Sequence, residues 1–214
     1  MKIKLIKLRP YLYHLEFRTR HEMTSTMLRM AEHYESPYFK GKVFTLKEFK
    51  KHYMIANKKA RFTYYEDWSG YNVPSNELKP FFDGKFNPLS RAEERVLSIL
   101  KDIKGKYYLI ATFSLNRTQQ KTLDHEITHG IYCFEKEYQK KVNDYINSAD
   151  TNEIEKLLVK KGYSKKRKKI VDEINAYLTN DLDWLRKKGL KGKQYNKYSR
   201  DLIKLRKPYW GKND

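Results

Sequence analysis

The chain has a single cysteine, Cys133, among 214 residues. An internal disulfide framework is excluded, and a lone thiol suits a reducing compartment. Glycine (9) and proline (6) are sparse, which leaves no room for collagen-like or linker-type low-complexity architecture, and no internal repeat is visible. No apolar run approaches the roughly 20 residues needed to span a bilayer. The opening "MKIKLIKLRPYLYHLEF" alternates lysine with aliphatic residues where a signal peptide would be continuously apolar. The expectation is a soluble, cytoplasmic protein with no membrane partner. Acidic residues are also short, 26 against 46 Lys plus Arg, for a formal net charge of +20. Such an excess suits an anionic partner such as nucleic acid. It is spread widely, though densest in "KKGYSKKRKK" and toward the C-terminus, and a solvated lysine-rich surface accounts for it more simply.

What the chain does have is apolar and aromatic material, with 18 Tyr and 10 Phe. Disordered chains are poor in aromatics, so a packed core is expected. "KIKLIKL" alternates with period two and predicts a strand. "RTRHEMTSTMLRMAEHYESP" predicts a helix ending before Pro37. "TLKEFKKHYMIAN" opens on a Thr45–Glu48 capping box and predicts a short one. "ARFTYYEDW" predicts a β-rich segment. The stretch "SGYNVPSNELKPFFDGKFNPLS" holds three prolines and two glycines and reads as a long loop. Its Tyr71, Phe81, Phe82 and Phe86 should pack it down. A second capping box, Ser90 to Glu93, opens a helix expected to end at Gly105. "KYYLIATFS", bounded by Gly105 and Asn116, is the strongest strand signal. A motif-bearing helix follows, then a polar helical stretch to about Gly162. A further helix closes at Gly189, and the remaining basic tail is either a helix or loosely docked.

The motif is in "TLDHEITHGIYCFEKEY": His125, Glu126 and His129 form His-Glu-x-x-His. Residues four apart share a helix face with Cβ atoms about 5–6 Å apart. Two imidazoles so placed can reach one tetrahedral Zn²⁺ at about 2.0–2.1 Å, with Glu126 beside the ion as a general base. Leu123, Ile127, Ile131, Phe134 and Tyr138 form a single apolar stripe, and the motif lies on its flank. A third ligand is required. A metzincin continuation would put glycine and a ligand where this chain has Tyr132 and Glu135, and a deformylase-like site needs a cysteine upstream. The remaining candidate is Glu173 in "VDEINAYLTND", at the edge of a second stripe (Ile170, Ile174, Tyr177, Leu178, Leu185) with small Ala176 nearby. Cys133, one turn past His129, reads as a small packed residue.

"HEITH" followed by "EINAY" resembles the gluzincin group of zinc metallopeptidases, thermolysin-like in the wide sense, over roughly residues 105 to 185. The resemblance implies an α+β, zincin-like fold, in which a small mixed or antiparallel sheet packs on the motif-bearing helix ahead of a mainly helical C-terminal part. The chain as a whole is expected to form one domain over residues 1–214. Residues 1–104 would form an N-terminal α+β part with the long aromatic loop, 105–190 an edge strand and the metal-site helices, and 191–214 a basic tail. "KYYLIATFS" would be the edge strand that binds the substrate backbone. The implied activity is zinc-dependent peptide hydrolysis with Glu126 as base, zinc held by His125, His129 and Glu173, and a peptide or protein as substrate. The family usually has an Asp four residues after its ligand glutamate, where this chain has Tyr177. Asp124, Asp172 and Asn180 are therefore candidate partners for His125, and Tyr177 and Tyr195 candidate electrophiles for the oxyanion. Two rival readings are a basic nucleic-acid-binding protein and a purely structural zinc clasp.

Overall fold

The computed structural model describes residues 3–114 and 117–210, with residues 117 and 118 described by their backbone alone. The chain divides into two compact units, Met1–Leu123 and Asp124–Asp214. In chain order the elements are β1 (Ile3–Arg9), β2 (Leu12–Phe17), α1 (Arg20–Glu35), α2 (Leu46–Ala56), α3 (Tyr64–Asp67), β3 (Gly70–Pro74), a 3-10 turn (Ser75–Leu78), α4 (Lys79–Phe82), α5 (Arg91–Leu100), β4 (Tyr108–Phe113), α6 (Arg117–Phe134), α7 (Lys136–Ser148), α8 (Asn152–Lys160), α9 (Arg167–Asn180), α10 (Leu182–Lys187) and α11 (Tyr195–Arg206). Among the described residues no helix is long and apolar enough to cross a membrane.

The first unit is built on a four-stranded mixed sheet in the order β1-β2-β4-β3. β1 and β3 are antiparallel to their neighbours, while β2 and β4 run parallel. Tyr13, Leu15, Phe17, Tyr71, Val73, Leu109 and Ala111 pack into a core with Met23, Met27, Leu28, Met30 and the aromatics Phe81 and Phe86. Both expected capping boxes form, at Thr45–Glu48 and Ser90–Glu93. Each satisfies two backbone N–H groups that a helix start would otherwise leave unpaired.

Several expectations are corrected. β4 is an interior strand, hydrogen-bonded on both sides, and not the edge strand expected from "KYYLIATFS". Its first five residues are all buried, which suits a strand covered on both faces. The true edges are β1, which carries exposed Lys4 and Lys7, and β3, which ends at Pro74. Charge and proline are what blunt an edge against further pairing. The strand's expected limit at Asn116 lies outside the described residues. "ARFTYYEDW" holds no strand. It makes the one-turn α3, because Tyr64 is buried and Thr24 Oγ1 on α1 donates to Tyr65 O at 3.2 Å, so tertiary contacts override β propensity. The presumed loop of residues 69–90 contains β3, the 3-10 turn and α4. The alternating burial of Gly70–Pro74 is a period-two signal hidden by proline and glycine. Of its aromatics, Tyr71, Phe81 and Phe86 are buried and Phe82 is exposed. α5 stops at Leu100, well before Gly105.

Two polar devices hold this unit. Arg29 on α1 donates from Nε to Glu93 Oε1 at 2.7 Å and from Nη2 to Oε2 at 2.6 Å, and from Nη1 to Phe86 O at 2.9 Å. Glu93 is only 2% exposed, so this is a buried, bidentate pair. His14 on β2 is fully buried, with Nε2 2.8 Å from Thr112 Oγ1 on β4. Burial, aided by nearby Lys4, pulls its pKa down to about 4. The unfolded chain takes up a proton near the ordinary value of about 6.5, and the native state resists until about pH 4. His14 therefore adds stability that is complete above about pH 6.5 and is lost as pH falls to about 4, roughly 3 kcal/mol in all. Denaturant titrations across this window, on wild type and His14→Gln, should show the wild type losing stability more steeply. Parallel pH profiles would contradict this.

The second unit is helical. α9 is its hub and packs against α7, α8, α10 and α11. The polar stretch to Gly162 is two helices, broken at Ala149–Thr151, and the final long helix is broken at Asp181. Tyr138 lies on α7, not on the motif helix, because α6 ends at Phe134. The described part of the basic tail is docked through α11, which buries Tyr195, Ser199 and Leu202. Residues 211–214 lie outside the described residues.

Candidate metal centre

α6 and α9 supply the site. On α6 the four-residue spacing sets His125 and His129 one above the other, and their Nε2 atoms converge to 3.1 Å. Glu173 on α9 reaches in, with Oε2 3.9 Å from His129 Nε2. One ligand atom from each of the three residues lies within 4.8 Å of the others. A tetrahedral zinc spaces its nitrogen ligands about 3.3–3.4 Å apart. At 3.1 Å the imidazole nitrogens are within about 0.3 Å of that spacing, and the half-buried Glu173 carboxylate, 3.9 Å from His129 Nε2, would have to move inward to join them. The three residues are thus a group that could hold a divalent ion.

The other ring nitrogens complete the argument. His125 Nδ1 is 2.6 Å from Asp181 Oδ2, and His129 Nδ1 is 2.9 Å from Asp172 Oδ1. A carboxylate on Nδ1 fixes the ring orientation and the tautomer with its Nε2 lone pair free for a metal, and raises the ligand's basicity. Burial opposes charge on His129, yet the carboxylates of Asp172, Glu173 and Glu126 outweigh it and lift its proton affinity well above the ordinary value. The surroundings of His129 favour a cation there, whether a proton or a metal.

The expected residues divide sharply. Asp172 is a histidine partner, but of His129 rather than His125. The partner of His125 is Asp181, which the sequence reading missed. Asp181 lies at the junction of α9 and α10 with φ −130° and ψ 27°, so the helix break turns its carboxylate toward the imidazole. Asn180 and the backbone carbonyl of Asp124 serve a different network. Asn180 Nδ2 donates to Thr128 Oγ1 at 2.9 Å, and Arg206 Nη1 donates to Asn180 Oδ1 at 2.9 Å and to Asp124 O at 3.4 Å. This ties α6, α9 and α11 together behind the histidines.

Tyr177 stands at the site, its ring edge-on to His125 with centroids 4.7 Å apart, and its hydroxyl 2.6 Å from that of Tyr163. Burial, with Tyr177 and then Glu173 beside it, pushes the Tyr163 phenol far up. Burial likewise pushes up Tyr177, with Glu173, Asp181 and Glu126 adding to it. Both stay neutral and can donate hydrogen bonds. Tyr163 was not singled out from sequence, since it lies in the basic run before α9 with no periodic pattern around it. Tyr195 belongs elsewhere: it is fully buried, and its hydroxyl accepts from Ile154 N at 3.3 Å. Cys133 is half-buried, and burial followed by Asp172 raises its pKa, so it remains a packed thiol.

No protein-family model, curated protein or solved structure matches this chain.

Proposed function

We propose that the protein is a zinc-dependent peptidase of zincin-like, gluzincin type, acting on peptide or protein substrates in a reducing, cytoplasmic setting, with zinc held by His125, His129 and Glu173. The observation that carries the reading is the pairing of convergent Nε2 atoms, 3.1 Å apart, with a separate carboxylate on each Nδ1. Zinc there would polarise a carbonyl and lower the pKa of a bound water. Glu126 is adjacent to His125 in sequence, and its charge acts on His129, Tyr163 and Tyr177. As general base it takes the proton from the attacking water, and as general acid it returns it to the leaving amine. The Tyr163–Tyr177 hydroxyl pair replaces Tyr195 as the donor for the developing oxyanion. Asp172 and Asp181 hold both imidazoles in register. β4, being interior, leaves the implied substrate-binding edge strand without a counterpart at "KYYLIATFS".

Glu126→Gln keeps the side-chain shape and removes the base. Zinc content and fold should be unchanged, while hydrolysis of a peptide cleaved by the wild type should fall by at least about 10²-fold. Glu173→Ala should instead lose zinc. Undiminished cleavage by Glu126→Gln would reject the mechanism, and a zinc-loaded wild type that cleaves no member of a broad peptide library would favour the structural clasp.

A further inference from the structure

An aromatic wall leads away from His125. The Tyr177 ring that meets His125 edge-on is itself stacked on Trp184, with centroids 5.1 Å apart and planes at 23°. Two ammonium groups lie over the indole, Lys161 Nζ at 5.0 Å and Lys188 Nζ at 5.7 Å from a ring centroid. Lys161 is the C-cap of α8 and Lys188 the C-cap of α10, so two helices end at one tryptophan. Both lysines are exposed, and among the described residues neither is ion-paired.

We propose that Lys161 and Lys188 form a carboxylate-binding subsite beside the Tyr177–Trp184 wall, so that the substrate presents a carboxylate within about four residues of the cleaved bond, given ring-to-ring and ring-to-ammonium steps of about 5 Å each and roughly 3.3–3.6 Å per extended residue. This rests on the peptidase reading above.

The distribution of charge supports the assignment. Asp172, Glu173 and Asp181 lie against the two histidines and the charge of Glu126 acts on His129, more negative charge than one divalent ion offsets. An acidic residue at the reacting bond itself is repelled, whereas one placed at the lysines is attracted. A cationic side chain at the same place meets two ammonium groups, 5.0 and 5.7 Å from a Trp184 ring centroid, and is disfavoured. The wall offers its aromatic faces to the methylenes of the intervening residues. A cation–π contact alone is worth about 0.5–1 kcal/mol at an exposed site; two ammonium groups over one indole, neither ion-paired among the described residues, together present positive charge that a carboxylate can meet. The carboxylate has two sources, a Glu or Asp side chain or a free chain terminus.

The test uses the full-length Glu126→Gln protein incubated with zinc, at physiological salt, and fluorescence anisotropy of three labelled decapeptides. These are alternating Ala-Glu with an amidated C-terminus, alternating Ala-Gln amidated, and alternating Ala-Gln with a free C-terminus. The alternation covers every register. At least one carboxylate-bearing peptide should bind about fivefold or more tighter than the neutral amide, and which one does so identifies the source. Lys161→Gln/Lys188→Gln should abolish the preference with zinc content unchanged, while Lys197→Gln/Lys204→Gln, which removes equal charge from α11, should retain it. Equal binding of all three peptides, or a preference that survives the first pair or is lost as fully in the second, overturns the proposal. Hydrolysis separates the two readings. If zinc-loaded wild type cleaves Ala-Gln and Ala-Glu peptides alike and the binding preference is missing, the subsite fails and the peptidase stands. A lysine-dependent preference in a protein whose zinc-loaded wild type cleaves no member of a broad peptide library leaves the subsite and removes the peptidase.

Discussion

Arg29→Ala should lower the stability of the first unit by about 3–5 kcal/mol, the usual consequence of leaving one member of a buried ion pair alone. The substitution strips Glu93, 2% exposed, of both its guanidinium bonds at 2.6 and 2.7 Å. It also frees Phe86 O and Pro88 O, which Arg29 Nη1 and Nη2 satisfy at 2.9 and 3.3 Å. Glu93 keeps its capping duty, with Oε2 accepting from Ser90 N at 2.7 Å, so its charge cannot simply swing out to water. For a unit of this size the loss corresponds to a fall in Tm of about 10–25 °C. The asymmetry is the informative part. Arg29→Met/Glu93→Gln removes both charges, keeps a side chain able to cap α5, and should recover at least half of the loss. Thermal denaturation measures both. A fall of less than about 1 kcal/mol in Arg29→Ala, or a double variant worse than the single, would contradict the buried-pair account.

The second large effect concerns metal affinity. His129→Ala removes a first ligand and should weaken zinc binding by well over the 10–100-fold typical of losing an outer carboxylate. Asp172→Asn and Asp181→Asn should each fall within that 10–100-fold range, because the ligands remain but their Nδ1 partners change. Zinc at 100 times its Kd should stabilise the wild type by about 2.7 kcal/mol, and His129→Ala not at all. Competition with a fluorescent chelator gives the affinities. An Asp181→Asn variant as impaired as His129→Ala would mean that Asp181 is itself a ligand. One indistinguishable from wild type would mean that the 2.6 Å contact with His125 has no bearing on the metal.

These outcomes turn on residues of unequal legibility in the sequence. The convergence of His125 and His129 was readable because helical spacing is local, and four residues on a helix have one geometry. Glu173 was readable because its helix has a clear apolar stripe and the glutamate sits at the edge. Asp181 was not, since its position depends on where α9 ends. A continuous helix was expected from the unbroken pattern of residues 164 to 189, and it would have carried Asp181 elsewhere. "TND" before Leu182 was the available cue, polar residues that favour a helix end. In the first unit the two capping boxes and the strands β1 and β4 were visible for the same local reasons. The order of the strands was not. Whether "KYYLIATFS" is central or at an edge is decided by a parallel partner far back in the chain, Leu12–Phe17, and by β3, whose alternation is masked by Gly70 and Pro74. Basic α11 likewise gave no hint that Arg206 would cross to Thr128 and Asn180 at 2.8 and 2.9 Å.

The central claim is that His125, His129 and Glu173 together hold one zinc ion, and the zinc content of the purified protein tests it most directly. Elemental analysis after exhaustive dialysis should give about one Zn²⁺ per chain in the wild type, as isolated or after zinc reconstitution, and essentially none in His125→Ala/His129→Ala/Glu173→Ala. A wild type that holds no zinc even after reconstitution, or a triple variant that still retains one ion per chain, would contradict the account.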